Sequence, residues 1–232
     1  MRVVHVDPPA IGTRDGLAYA AFLPGRPATA RLVVLHGAGS VKESHYAWAR
    51  ACRAHGVAAV CFDMRGHGDS PGALDGRALD DVAAMAAVAG PAELPLVLRG
   101  SSMGGWMALA AGERLDAAVV VAICPAPGAG LVRKLRAGEL PGFGVDVEAV
   151  ARLVGSVSEE RAAARLGARL LLLHAAGDET VPVEVSRALH VAAPGSRYVE
   201  VPGGHHRSVQ HDPELQAYAL RWIDKALAAG GA

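Results

Sequence analysis

The sequence predicts an α/β fold: a single domain over 1-232 with a mostly parallel central sheet covered by helices on both faces. Three observations predict it. Short apolar runs alternate with longer helix-compatible segments, the order expected of parallel strands joined by crossover helices. A chain of 232 residues with 51% hydrophobic content can bury one sizeable core. Finally, a Gly-x-Ser-x-Gly run, Gly100 to Gly104, stands between an apolar stretch and a small-residue helix, where a sharp strand-to-helix turn belongs.

Arg2 to Val6 and Leu17 to Leu23 read as a pair of leading strands. Leu32 to Leu35, Val57 to Phe62, Leu94 to Leu98, Ala118 to Ile123, Leu170 to Leu173 and Tyr198 to Val201 follow as buried strands. Between them, Glu43 to Ala54, Ala78 to Val88, Met103 to Gly112, Val183 to Val191 and Glu214 to Ala228 read as helices, with Pro182 and Pro213 where first turns tolerate proline. The stretch 125-167 is too long for a simple crossover. It opens Pro/Gly-rich and turns helical over Val147 to Leu153 and Ser158 to Leu166, and is expected to form a short cap insertion whose apolar side chains, Leu131 and Phe143 among them, cover a pocket.

Lys plus Arg and Asp plus Glu both number 23, so no basic field exists to hold nucleic acid or an anionic membrane, and a small molecule is the expected partner. Cys52, Cys61 and Cys124 are odd in number and sit among apolar residues, which suits buried thiols in a reducing cytoplasm. The alternating start, interrupted by Pro8 and Pro9, lacks the pattern of a secretion signal. The longest apolar stretch, Ala117 to Cys124, falls far short of the roughly 20 residues that span a bilayer.

At the Gly100 to Gly104 turn the serine backbone is strained, and side chains two positions to either side would collide, so glycine is required at both. Only Ser102 has glycine on both flanks; Ser101 reads as a packed strand-end hydroxyl. In an open parallel sheet, ligands gather at the carboxyl ends of the strands. The residues placed there include Ser102, then Asp178 in the Gly177 to Pro182 loop, then His205 and His206 in the Pro202 to Ser208 loop.

With these motifs, and with His36-Gly37-Ala38-Gly39 and Asp63-Met64-Arg65-Gly66-His67-Gly68-Asp69-Ser70, the chain resembles the α/β-hydrolase family over nearly its whole length, most closely its short serine-hydrolase and peptidase-like branch. The resemblance implies a catalytic triad of Ser102, Asp178 and His206. It also implies an oxyanion hole made by the backbone N–H groups of Ala38 and Met103. His206 is preferred because the family's loops place the base four residues after the proline; His205 is the second choice. His36, Gly37, Cys124, Leu131, Phe143 and Val181 are candidates for the substrate pocket. The expected activity is cleavage of a small carboxylic ester through an acyl-serine, without cofactor. Thioester or amide cleavage uses the same groups, and a non-catalytic binding protein is the alternative of another class. No metal is expected, since His205, His206 and His211 lack a metal-ligand spacing.

Overall fold

The computed structural model describes residues 8–230. β1 (Ala10–Arg14), β2 (Leu17–Phe22), β3 (Ala30–Leu35), β4 (Val57–Phe62), β5 (Leu96–Ser101), β6 (Val119–Ile123), β7 (Leu170–Ala175) and β8 (Arg197–Val201) form one sheet in the order β1-β2-β4-β3-β5-β6-β7-β8. Only the β1–β2 and β2–β4 pairs are antiparallel. The helices are α1 (Tyr46–Ala54), α2 (Ala78–Ala89), α3 (Met103–Arg114), α4 (Gly128–Arg136), α5 (Val147–Gly155), α6 (Glu159–Leu166), α7 (Glu184–Ala192), α8 (Ser208–His211) and α9 (Pro213–Gly230). None of them is long and apolar enough to cross a membrane.

Alternation along each strand divides the core in two. Val33, Leu35, Leu96 and Leu98 pack with Leu79 and Val82 of α2 and Trp106 of α3, while Leu32, Val34 and Val97 pack with Trp48 of α1 and Leu220 and Ile223 of α9. The central strands are buried on both faces, which is why they read as unbroken apolar runs.

Parallel register sets the site. Leu35 pairs with Gly100, Ser101 with Ile123, Ile123 with Leu173 and Ala175 with Val201. The loops that leave β3, β5, β6, β7 and β8 therefore emerge side by side along one edge of the sheet.

The leading strand expected at Arg2 to Val6 lies outside the described residues. Among the described residues β2 pairs with β4 and with β1, the latter joined to it by a tight turn in which Asp15 (φ 54) and Gly16 (φ 79) take left-handed backbone. The sequence reading also misses α4, because Gly128 and Gly130 disguise it as a loop, and the four-residue α8. Lys42–His45 forms a 3-10 turn ahead of α1.

Between β6 and β7 the chain forms α4, α5 and α6. Asp146 caps α5 by accepting the Ala149 N–H at 3.0 Å, and Ser158 caps α6 by accepting that of Arg161 at 3.2 Å. The stretch before α5 is clipped to the loop after β4. Gly144 N–H donates to the Gly66 carbonyl (3.0 Å), and the Leu74 N–H donates to that of Gly144 (2.8 Å).

Candidate active site

Ser102 sits at the end of β5 with φ 55 and ψ −119, a conformation few residues other than glycine adopt. Neighbouring strands hold it there. Its N–H donates to the Ile123 carbonyl at 2.9 Å, and its own carbonyl accepts from Gly105, Trp106 and Ala126. The glycines are needed because the turn is close-packed backbone on backbone. A Cβ on Gly100 would lie 1.9 Å from the Gly104 carbonyl oxygen, and one on Gly104 would lie 2.2 Å from that of Leu35. Neither oxygen can swing away, so Gly104→Ala is expected to destabilise the fold by about 3 kcal/mol, read as a lowered urea midpoint. An unchanged midpoint would mean that the turn is looser than described.

The Gly37 position lies directly against the serine, since a Cβ there would be 3.4 Å from Ser102 Cβ. The backbone N–H groups of Ala38 and Met103 donate no hydrogen bond among the described residues; Met103 follows Ser102 directly, and Ala38 follows the Gly37 that lies against it. The Ser102 hydroxyl likewise makes no hydrogen bond among them.

Asp178 follows β7 with a wholly buried carboxylate. Oδ1 accepts the N–H groups of Thr180 and Val181, each at 2.9 Å, and Oδ2 accepts Nδ1–H of His206 at 2.7 Å. Burial pushes the acid up, but the Val181 N–H, His206 and the Thr180 N–H together outweigh it and hold the carboxyl below its ordinary value. The carboxylate is therefore ionised at neutral pH and, by taking Nδ1–H, leaves Nε2 as the His206 ring nitrogen not tied to it. His205, by contrast, is exposed, and its Nδ1 accepts from Arg207 N–H at 3.4 Å.

A second histidine, missed by sequence reasoning, supports the acid. His174, fully buried at the end of β7, donates Nε2–H to the Val181 carbonyl at 3.0 Å and stands 3.4 Å from Asp178 Oδ2, while Nδ1 accepts from Ser186 Oγ at 2.7 Å. Burial lowers its pKa and keeps it neutral. No motif marks a lone histidine on an apolar strand; its position four residues before Asp178 is the only signal.

Cys124, at φ 42 just after β6, is buried against the acid. Burial pushes its thiol pKa far up, with Asp178 adding to the shift, so it is no nucleophile. Donor atoms of Cys124, Asp178 and His206 lie within 4.8 Å of one another, a set that could hold a soft divalent cation only by displacing the Asp178–His206 hydrogen bond.

Among the other pocket candidates, Val181 and Leu131 are buried, and Phe143 stacks on His67 at 4.0 Å, joining the 125–167 segment to the loop after β4. His36 is wholly enclosed. Its Nδ1–H donates to the Gly37 carbonyl (2.8 Å) and Nε2 accepts the Met64 N–H (3.0 Å), so it shapes the loop beside Ser102 from within. Beneath it, Asp63 accepts from the Lys42 backbone N–H and Nζ, both at 2.7 Å, and from Asp69 N–H at 2.9 Å.

Burial lowers the His36 pKa from 6.5 to about 4. The folded value lies below the unfolded one, so unfolding takes up a proton in that window and stability falls with falling pH. His36 alone is expected to remove about 2 kcal/mol between pH 7 and pH 5. Burial of His67 and His174 acts in the same direction. Urea midpoints should fall over this interval, and less steeply in His36→Gln; parallel slopes would contradict the assignment.

Residues 26–160 match the family model described as serine aminopeptidase, S33. A search of the curated proteins gives no match. Among solved structures, the chain is similar to Est1E from Butyrivibrio proteoclasticus with bound ferulic acid: 21% identity, TM-score 0.70, covering 96% of this chain and 100% of that one. It is also similar to the monoacylglycerol lipase of Paleococcus ferrophilus: 22% identity, TM-score 0.70, covering 92% and 98%. A third likeness is to XC6422 from Xanthomonas campestris, an α/β serine hydrolase without lid: 20% identity, TM-score 0.64, covering 97% of each chain. At these identities the likeness shows the fold, and that fold is the α/β-hydrolase fold.

Proposed function

The chain belongs to the serine aminopeptidase S33 family of α/β hydrolases, and from that premise we propose that it cleaves carboxylic esters of small molecules through an acyl-serine intermediate. The observation that carries the reading is the 2.7 Å hydrogen bond between His206 Nδ1 and a buried, ionised Asp178, on the same sheet edge as the strained Ser102.

Ser102 Oγ attacks the acyl carbon while His206 Nε2 takes its proton, and Asp178 stabilises the imidazolium that forms. The N–H groups of Met103 and Ala38 meet the oxyanion. Collapse of the tetrahedral intermediate expels the alcohol with the proton held by His206. Water, deprotonated by the same base, then cleaves the acyl-serine and restores Ser102 Oγ–H. On this reading the hydrogen bond from Ser102 Oγ to His206 Nε2 forms when substrate is bound, as catalytic contacts commonly do. We assign the 125–167 segment as a cap that sets the acyl preference and, from its three buried free thiols, the protein to a reducing cytoplasm.

The family's description favours a second reading, amide cleavage by the same groups. A panel of nitrophenyl esters, acyl thioesters and aminoacyl amides separates them. Turnover is expected on the esters, with kcat/KM on the amides far lower. Turnover of aminoacyl amides alone would replace the ester reading with a peptidase, and turnover of thioesters alone would replace it with a thioesterase.

A further inference from the structure

Arg99 precedes the Gly100 turn, and alternation along β5 sends its side chain to the α1 and α9 face. There it is 1% exposed. Among the described residues it has one hydrogen bond, from Nη2 to the Gln210 carbonyl at 2.9 Å, and its guanidinium lies 4.5 Å over the Trp48 ring. No carboxylate pairs with it among the described residues. The acids that act on the neighbouring Cys52 and Cys61 are engaged elsewhere, Asp224 with His55 at 3.3 Å and Glu43 with Lys42 at 2.9 Å.

The groups around Arg99 deepen the imbalance instead of relieving it. His45, 3% exposed, stacks on His211 at 6.3 Å, and both feel the Arg99 charge. Arg207 acts on His211 as well. The thiols Cys52 and Cys61 are held protonated by burial, which pushes the first up to about 12 and the second higher still. Three buried nitrogens of these side chains, Arg99 Nε, Trp48 Nε1 and His45 Nε2, have no hydrogen-bond partner among the described residues.

A buried cation needs a counter-charge, because desolvation costs more than one neutral carbonyl and an aromatic face return. Water could satisfy the free donors but would leave the charge. Arg99 Nε–H is a free donor on a full cation, which suits an anion that is small, monovalent and needs no acceptor.

We propose that Arg99, held between β5, α1 and α8, binds a halide-like inorganic anion, with its guanidinium as the counter-charge and its free Nε–H as the donor. The site lies behind the nucleophile strand and does not depend on which bond the enzyme cleaves.

Thermal unfolding of the full chain in sodium chloride and in sodium gluconate, at equal ionic strength, tests it. The wild-type midpoint is expected to rise saturably by about 4 °C in chloride. Arg99→Met removes the charge at similar volume; it should show no chloride-specific rise and, in gluconate, be at least as stable as wild type. Equal wild-type midpoints in the two salts, or equal rises in both proteins, would overturn the proposal. Should Arg99→Met fail to fold, wild-type crystals grown in sodium bromide decide. An anomalous peak against Arg99 Nε supports the site, and its absence overturns it.

Discussion

Ser102→Ala is expected to lower kcat on a short-chain nitrophenyl ester by about 10⁴-fold or more while leaving the thermal midpoint nearly unchanged. The loss is large because attack, proton transfer and the acyl intermediate all need Oγ, and no neighbouring hydroxyl can replace it. Ser101 is 6% exposed and faces the sheet interior at the end of β5. Stability survives because Ser102 Oγ makes no hydrogen bond among the described residues, and alanine meets the same backbone restriction at φ 55 as serine does. Burst kinetics and a melting curve on the same preparation separate the two effects. A variant that kept a tenth of wild-type turnover would move the nucleophile elsewhere.

Removing the base should cost nearly as much. His206→Ala is expected to lower kcat by about 10⁴-fold and His205→Ala to keep most of it, because only His206 is tied to Asp178. Asp178→Asn carries the same argument one atom further. The Asn oxygen would take the Thr180 and Val181 N–H groups, turning its NH₂ toward His206 Nδ1. Nδ1 would then have to accept, leaving the proton on Nε2, where it blocks attack. A loss of about 10⁴-fold in kcat with an intact fold is expected. Loss in His205→Ala with retention in His206→Ala would reverse the assignment.

The parallel strands were legible because each is an apolar run buried on both faces; Val57–Phe62 is the clearest case. β1 was not, since Ala10–Arg14 is an exposed edge strand whose pairing is set by the Asp15-Gly16 turn and not by hydrophobic pattern. Around the site, Ser102, Asp178 and the His205-His206 pair stood out because each sits in a glycine-bearing loop after a strand. Which histidine meets the acid is decided by how the Gly203 and Gly204 backbone turns, at φ 69 and φ 74, and sequence spacing could only suggest it. His174, Lys42 and Arg99 were invisible for a related reason. Their partners Val181, Asp63 and Gln210 are joined to them by the fold alone, across as many as 111 positions.

The central claim is a covalent intermediate on Ser102, and mass spectrometry after exposure to a fluorophosphonate tests it most directly. One adduct per chain is predicted, on the peptide carrying Ser102, absent from Ser102→Ala and greatly slowed in His206→Ala. A wild-type protein that is folded yet takes up no label at Ser102, or takes it up on another residue, would contradict the account.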